Sequence, residues 1–594
     1  MTTYIAPTLE MQFVLNELAG LDTVNTLPGF EEATPDLVDA VLEEAARLAS
    51  EVLAPLNKIG DIEGSKLIDG NVVVPQGFAD AYRAFVEGGW AGLSLNPEFD
   101  GQGLPGLVST AVDEMWNAAN LSFSLCPLLT SGAVEALEAH ADEALKRIYL
   151  PKLVTGEWTG TMNLTEPQAG SDLSTVRTKA VPDGDHYRIT GQKIYITWGD
   201  HELTENIVHL VLARLPDAPD GVKGISLFVV PKFLVNEDGT LGEHNDVHAV
   251  SLEHKLGVNA SPTCVMSFGD EDGAVGYLLG EPNKGLACMF TMMNHARLGV
   301  GIQGVAIAER ALQQAVEYAR DRVQGSAPGK DGRVTIIHHP DVRRMLMLMR
   351  SQTEAMRAVA YLTAAALDQS HSAPDAAEKA RFQTRVDLLT PVVKAWSTEV
   401  AQEVTTLGVQ VHGGMGYIEE TGAAQFFRDG RIITIYEGTT GIQANDLVGR
   451  KIVRDCGQAM RDLLTDIETV ESALDSAGEA CAGIKGALSE GRVALARAID
   501  WLLETHPNDV HAAGSAAVNL LMLMGTVVGG WQMARAALAA HAKLESNEGD
   551  AKFYQSKLIT ARFYAEHVLP RSGSYLAAVL AGSESIMALD DEYF

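Results

Sequence analysis

Apolar positions Leu37, Val38, Val41, Leu42, Ala45, Leu48 and Val52 recur every three to four residues, which puts them on one face of a helix. Thr34 stands where an N-cap belongs, and Pro35, with φ preset and no N–H to satisfy, suits the first turn. The helical rhythm continues to Pro151 and the Gly156-Glu157 turn. From Trp158 to Gly280 it gives way to short apolar runs at Tyr187–Thr197, Ile207–Leu212, Ile225–Val230 and Cys264–Phe268, separated by turns rich in Gly, Asp and Pro. That pattern predicts a small antiparallel sheet domain.

After Gly285 the helical period returns, with Val305, Ala308, Leu312, Ala315 and Ala319 on one stripe and a second stripe starting near Val342. Helices are expected through Val411, where Gly413-Gly414-Met415-Gly416 breaks them, and an Ala-rich helical block follows from residue 455. Ala512 to Ala534 contains no Asp, Glu, Lys or Arg and is long enough to cross a bilayer. It also carries Ser515, Asn519, Thr526 and Gln532, and small residues Ala513, Ala517, Gly525 and Gly529. A buried bundle helix is the expectation, with a membrane span as the alternative.

A chain of 594 residues is too long for one core, so several domains are expected. Lys and Arg number 45 against 78 Asp and Glu, a formal charge of −33 that repels nucleic acid and anionic lipid over most of the surface. The five cysteines (Cys126, Cys264, Cys288, Cys456, Cys481) form no C-x-x-C pair, so neither a disulfide framework nor a zinc site is expected. Residues 1–7 lack the charged and apolar blocks of a signal peptide, which points to a cytoplasmic location.

Gly299-Val-Gly-Ile-Gln-Gly304 matches the dinucleotide spacing, but the segments on both sides read as helix, so close helix packing is the expectation. In Met162-Asn-Leu-Thr-Glu-Pro-Gln-Ala-Gly-Ser-Asp172 a strand runs into a Pro turn. Gly170 and Ser171 can offer backbone N–H groups and a hydroxyl to phosphate or carbonyl oxygens, and Thr165 a donor to a heteroaromatic ring. An ordinary solvent turn has the same composition. Strand alternation puts Tyr195 and Thr197 on one face, fit to stack on and hydrogen-bond a flat ring or simply to pack a core. Gln410-Val-His-Gly-Gly-Met-Gly416 is followed by Ile435-Tyr-Glu-Gly-Thr-Thr-Gly-Ile-Gln443. Glu437 there lies between an apolar run and Gly438, placed for a base with a semi-apolar shell or for a helix-start carboxylate.

Taken in order, T-E-P-x-A-G-S-D, K-x-[aromatic]-I-T, an Arg ahead of a long helix, Q-x-x-G-G-x-G and I-Y-E-G-T resemble the acyl-CoA dehydrogenase family over residues 40 to 450. The resemblance implies a chain that is mainly α with a central β-domain: an N-terminal α-helical domain (1–157), the β-domain (158–282), an α-helical bundle (283–453) and a C-terminal helical extension (454–594). It also implies FAD, shared across a subunit interface. Met162, Leu164, Thr165, Gly170, Ser171, Tyr195 and Thr197 would contact the flavin. Arg322, Gln324, Gln410, Gly413 and Gly414 would reach a neighbouring subunit's FAD, and Thr439 would bind FAD as well. Asn294, Arg297 and Gly438 would contact the CoA thioester, and Glu437 would be the catalytic base. Some members carry the base just before the Arg that matches Arg297; that position is Ala296 here, which takes no proton. Asn294 replaces a frequent acidic residue, and Gly441 stands where Gln is common.

The N-terminal segment and the long C-terminal block resemble the branch of the family that oxidises 3-methylthiopropanoyl-CoA. The implied reaction is its conversion to 3-methylthioacryloyl-CoA in dimethylsulfoniopropionate breakdown, by a homodimer passing electrons to electron-transfer flavoprotein. An acyl-CoA oxidase and a dehydrogenase of other short or medium acyl chains are the enzymatic alternatives. A DNA-associated flavoprotein is the remote one, since residues 455–594 carry no basic patch. No nucleic-acid partner, membrane span or metal is expected.

Overall fold

The computed structural model describes residues 4–236 and 238–594. The main helices before the sheet are α1 (Pro35–Leu48), α2 (Phe78–Glu87), α3 (Gly106–Ala119), α4 (Leu121–His140) and α5 (Glu143–Val154). The main sheet follows, with eight strands: β1 (Thr159–Asn163), β2 (Lys179–Asp183), β3 (His186–Thr197), β4 (Ile207–Arg214), β5 (Ile225–Pro231), β6 (Val247–Leu252), β7 (Thr263–Phe268) and β8 (Ala274–Leu279). The rest is helical: α6 (Gly285–Asp321), α7 (Pro340–Ser372), α8 (Ala376–His412), α9 (Thr440–Asp446), α10 (Gln458–Ser476), α11 (Glu479–Thr505), α12 (Val510–Ser546), α13 (Ala551–His567) and α14 (Arg571–Leu580). The chain divides into two compact units, one of Glu44–Leu104 and Met115–Gly299, the other of Met1–Glu43, Pro105–Glu114 and Val300–Phe594.

In the first unit these eight strands form one sheet of order β6-β7-β3-β8-β5-β4-β1, with β2 pairing β3, beside two small two-stranded sheets. The sheet is not wholly antiparallel, as the sequence had suggested: β1 runs parallel to β4, from Thr159 opposite Ile207 to Asn163 opposite Val211. The β2–β3 hairpin lies between these two strands in sequence, and such an excursion is what a parallel pair requires. Strand β5 is buried throughout and β4 up to its last residue, which is why both read as near-continuous apolar runs. Helix α4 packs on β1. A side chain at Gly160 would meet the Ala133 Cβ at 2.5 Å, and the Gly160 N–H donates to Thr130 Oγ1 at 3.1 Å.

In the second unit α7 and α8 pack on one another, and α12 packs against both and against α9, α11, α13 and α14. The uncharged stretch of α12 is therefore an internal helix. It is long and apolar enough to cross a membrane, yet two thirds of its most apolar window is buried within the protein. Gly525 and Gly529 lie against the Trp396 ring of α8, so closely that a Cβ at Gly525 would stand 2.1 Å from Trp396 Cγ. The predicted glycine pattern of α6 is likewise packing: Gly301 and Gly304 lie against Val393 and Ser397 of α8 in this unit, and Gly299 lies against Leu128 in the other.

Helix α1 begins where expected, with Leu37 N–H reaching Thr34 Oγ1 at 3.4 Å. Its buried face is Val38, Leu42, Ala45 and Ala49, while Leu37 is exposed. A π-turn at Ala49–Leu53 adds a residue to the turn and moves the next buried position from Val52 to Leu53.

Candidate active site

Strand β1 delivers Met162, half-buried, and then Leu164 and Thr165 into the turn that follows. Glu166, the next residue, is buried, and five donors converge on its carboxylate, Gln168 Nε2 at 2.6 Å among them. Lys193 Nζ lies 2.8 Å from Oε1 and Thr178 Oγ1 2.6 Å from it; the N–H groups of Thr178 and Arg177 donate at 3.0 and 2.7 Å. Burial pushes the carboxyl upward, but Lys193 and these donors outweigh it and hold the group down at about 2. Lys193 is lowered to about 8 by its own burial against the pull of Glu166, and it also donates to the Leu164 carbonyl at 3.0 Å. The pair thus pins the Leu164–Thr178 loop to β3.

Ile194 N–H donates to the Thr165 carbonyl at 2.9 Å, which brings Thr165 beside Tyr195. The simple alternation expected for Tyr195 and Thr197 does not hold. Between the pairs Lys193–Met266 and Ile196–Cys264, β3 uses three steps and β7 two. The extra residue makes a β-bulge, with Tyr195 at φ 61° and its ring 60% exposed, while Thr197 is half-buried. Gly170 and Ser171 are exposed on the loop, and open space lies where a Gly170 Cβ would stand. Asp172 accepts from the N–H and Oγ of Ser174 at 2.9 and 2.8 Å.

On α6, within the same unit, Arg297 is buried and its Nη1 donates to Asn294 Oδ1 at 3.3 Å, one turn away. Its guanidinium lies 5.8 Å from the Phe290 ring centroid, and Ala296 is buried. His201 and His209 are the buried histidines of the sheet. Burial foremost, and then the Lys232 charge, lowers both to about 3, so both are neutral imidazoles at neutral pH.

In the second unit, Arg322 and Gln324 are exposed on a loop closed by Gln324 N–H to Val334 O at 3.0 Å and Ile336 N–H to Arg322 O at 2.8 Å. Gln410 is exposed on the last turn of α8. Gly413 at φ 60° ends that helix, and neither it nor Gly414 has an atom within 4 Å of where a Cβ would be. Among the described residues no hydrogen bond joins the Arg322–Gln324 loop to Gln410, Gly413 or Gly414.

Glu437 lies in the turn before α9, half-buried and at φ 55°, a left-handed conformation uncommon for a residue with a Cβ. Gly438 follows at φ 90°, and a side chain there would meet Gln443 Nε2 at 2.6 Å. Thr439 N-caps α9, its hydroxyl accepting from Ile442 N–H at 3.3 Å. The neighbouring Tyr436 hydroxyl donates to Gln303 Oε1, and burial foremost, with Glu437 next, raises that phenol far above its ordinary range. Sequence reading had passed over Lys394, Gln443 and Gln303. All three are fully buried, and Lys394 Nζ donates to the Gly438 carbonyl at 2.7 Å. The one available signal for Lys394 is a lone cation inside the apolar run Leu388–Ser397.

Four sequence models match this chain: acyl-CoA dehydrogenase N-terminal domain at 38–157, middle domain at 161–270, C-terminal domain at 283–452, and acetyl-CoA dehydrogenase C-terminal like at 463–590. The 3-methylmercaptopropionyl-CoA dehydrogenase of Ruegeria pomeroyi is 50% identical over 98% of this chain and 99% of its own length. The chain belongs to the acyl-CoA dehydrogenase family. A butyryl-CoA dehydrogenase of Syntrophomonas wolfei is 36% identical over 98% of this chain and 96% of its own. Among solved structures, the acyl-CoA dehydrogenase of Bacillus anthracis, complexed with FAD, superposes with a TM-score of 0.75 at 20% identity, over 96% of this chain and 91% of that one. Acyl-CoA dehydrogenases are oxidoreductases that use FAD, and the helical, central-β, helical order found here is their fold.

Proposed function

We propose that this acyl-CoA dehydrogenase converts 3-methylthiopropanoyl-CoA to 3-methylthioacryloyl-CoA, a step in dimethylsulfoniopropionate breakdown, with Glu437 as the base. The reading is carried by the setting of Glu437: a half-buried residue in a left-handed turn beside a glycine at φ 90°, a conformation strained for any residue with a Cβ. It occurs in a chain half identical to a relative named for this substrate.

Bound FAD supplies the acceptor for the hydride that leaves Cβ. Glu437 takes the α-proton, a very weak acid in water, onto a carboxylate oxygen. The Glu437 amide N–H donates to the thioester oxygen as negative charge develops there, a type of contact that contributes roughly 3 kcal/mol to lowering the barrier. Asn294, Arg297 and Gly438 bind the CoA thioester.

The residues present fit FAD. Met162 and Leu164 give an apolar wall, Thr165, Ser171 and Thr197 give hydroxyls, and the exposed Tyr195 ring gives a stacking surface. Open space at Gly170, Gly413 and Gly414 leaves their backbones approachable by a pyrophosphate. Thr439 also binds FAD. Arg322, Gln324, Gln410, Gly413 and Gly414 serve a neighbouring subunit's FAD, so the working form is a homodimer. Electrons leave to electron-transfer flavoprotein in the cytoplasm.

The test is anaerobic mixing of purified holoenzyme with a panel of short acyl-CoA thioesters. The yellow flavin should bleach with 3-methylthiopropanoyl-CoA at the highest kcat/KM of the panel. Preference for butanoyl-CoA by tenfold or more overturns the substrate, and peroxide release at the turnover rate in air overturns the acceptor.

A further inference from the structure

Both carbonyls of the Glu437–Gly438 turn are gripped by fully buried donors from two different helices. Lys394 Nζ, from the middle of α8, donates to the Gly438 carbonyl at 2.7 Å. Gln443 Nε2, from α9, donates to the Glu437 carbonyl at 3.2 Å and lies 3.5 Å from that of Gly438. On the other side, Tyr436 is tied through its hydroxyl to Gln303 of α6. The turn therefore has anchors on three helices of one unit.

Burying a lysine ammonium and two amides is costly, and ordinary core packing does not require it. Here buried polar groups donate hydrogen bonds to a backbone turn that is strained at a residue with a Cβ. In a trans peptide the N–H points away from the carbonyl. Fixing the Glu437 carbonyl on Gln443 therefore aims the Gly438 N–H the opposite way, and fixing the Gly438 carbonyl on Lys394 does the same for Thr439. The Cα of Gly438 lies between these two constrained peptides, and the Glu437 Cα is bonded to the first of them, which restrains the C-terminal side of the residue that carries the carboxylate.

We propose that Lys394 and Gln443 are positioning residues: a buried clamp that holds the Glu437 turn in its left-handed form and so fixes the reach of the carboxylate to the substrate α-carbon. This rests on the reading of Glu437 as the base. Lys394 is the principal arm, since it makes the shorter bond and comes from the longer, more deeply packed helix. A displacement of the base of about 1 Å costs on the order of 100-fold in rate while leaving binding little changed.

The experiment measures the anaerobic bleaching rate and substrate affinity of FAD-loaded Lys394→Met, Lys394→Ala and Gln443→Met with 3-methylthiopropanoyl-CoA, beside the wild type. Lys394→Met is expected to bleach roughly 100-fold more slowly with substrate Kd changed less than threefold. Gln443→Met, which keeps the lysine arm, is expected to be slowed about tenfold. Lys394→Ala is expected to recover with added n-propylamine but not with tetramethylammonium, which carries charge and no N–H. A crystal structure of Lys394→Met is expected to show φ of residue 437 outside the left-handed region. If Lys394→Met does not fold, Gln443→Met decides alone.

Bleaching within twofold of wild type in the folded variants overturns the clamp. So does equal recovery with tetramethylammonium, or an unchanged turn at 437. A wild type that does not bleach at all overturns the dehydrogenase reading instead, so the two failures are distinct.

Discussion

The ion pair of Glu166 and Lys193 shows how buried charge organises this protein residue by residue. Each would be expensive alone; together, with the Leu164 carbonyl, Thr178 and two backbone N–H groups, they are satisfied. Lys193→Met leaves the carboxylate without its cation and should cost about 3–5 kcal/mol, seen as a lower thermal midpoint at pH 7, with part restored in Lys193→Met/Glu166→Gln. The pH dependence has a definite sign. A carboxyl held at about 2 when folded, against 4.5 when free, stabilises the fold above pH 4.5 and loses that contribution as pH falls toward 2. The acid-side loss should therefore be shallower in the double variant, measured as the midpoint between pH 5 and pH 3. Glu166 and Lys193 were both visible within the sequence motifs, yet neither was singled out. Lys394 was less legible still, because a lone lysine in an apolar run looks the same whether its amine reaches solvent or a buried carbonyl.

Among the elements, those with a strong period were readable: the stripe of α6 from Val305 to Ala319 is buried, and the α8 break at Gly413 lies where the glycines predict it. Local insertions were not. The bulge at Tyr195 and the π-turn at Ala49–Leu53 each add one residue, which leaves composition unchanged but resets the face of everything after it. The parallel pairing of β1 with β4 was hidden for a related reason, since a five-residue strand carries no mark of its partner's direction. The small residues of α12 were legible as contact positions, and their partner is the Trp396 ring. Gly525→Val puts a branched side chain into that ring and should cost at least about 1–3 kcal/mol, lowering the midpoint in differential scanning calorimetry. A variant that melts with the wild type would show that α12 does not rest on Trp396.

Over the whole molecule, segments near both ends of the sequence take part in the core of the helical unit. Lys557 of α13 is buried with its amine 2.6 Å from Glu10 and 2.7 Å from Glu354 of α7. Glu114, Glu309 and Tyr361 surround Arg357 in a second buried network of the same unit. The segments outside the motif-bearing residues 40–450 thus contribute, through Glu10 and Lys557, to the buried interior of the helical unit. Length and composition carried the general class: several domains and an acidic surface. Order and spacing of five short motifs carried the family, and Glu437 with it, whereas the three-helix mount around Glu437 needed tertiary structure because Gln303, Lys394 and Gln443 are far apart or unremarkable in sequence. The central claim is that the carboxylate at 437 removes the proton. Its most direct test is anaerobic titration of FAD-loaded Glu437→Gln with 3-methylthiopropanoyl-CoA: the account predicts a yellow protein that binds the thioester and does not bleach, and full bleaching at the wild-type rate would contradict it.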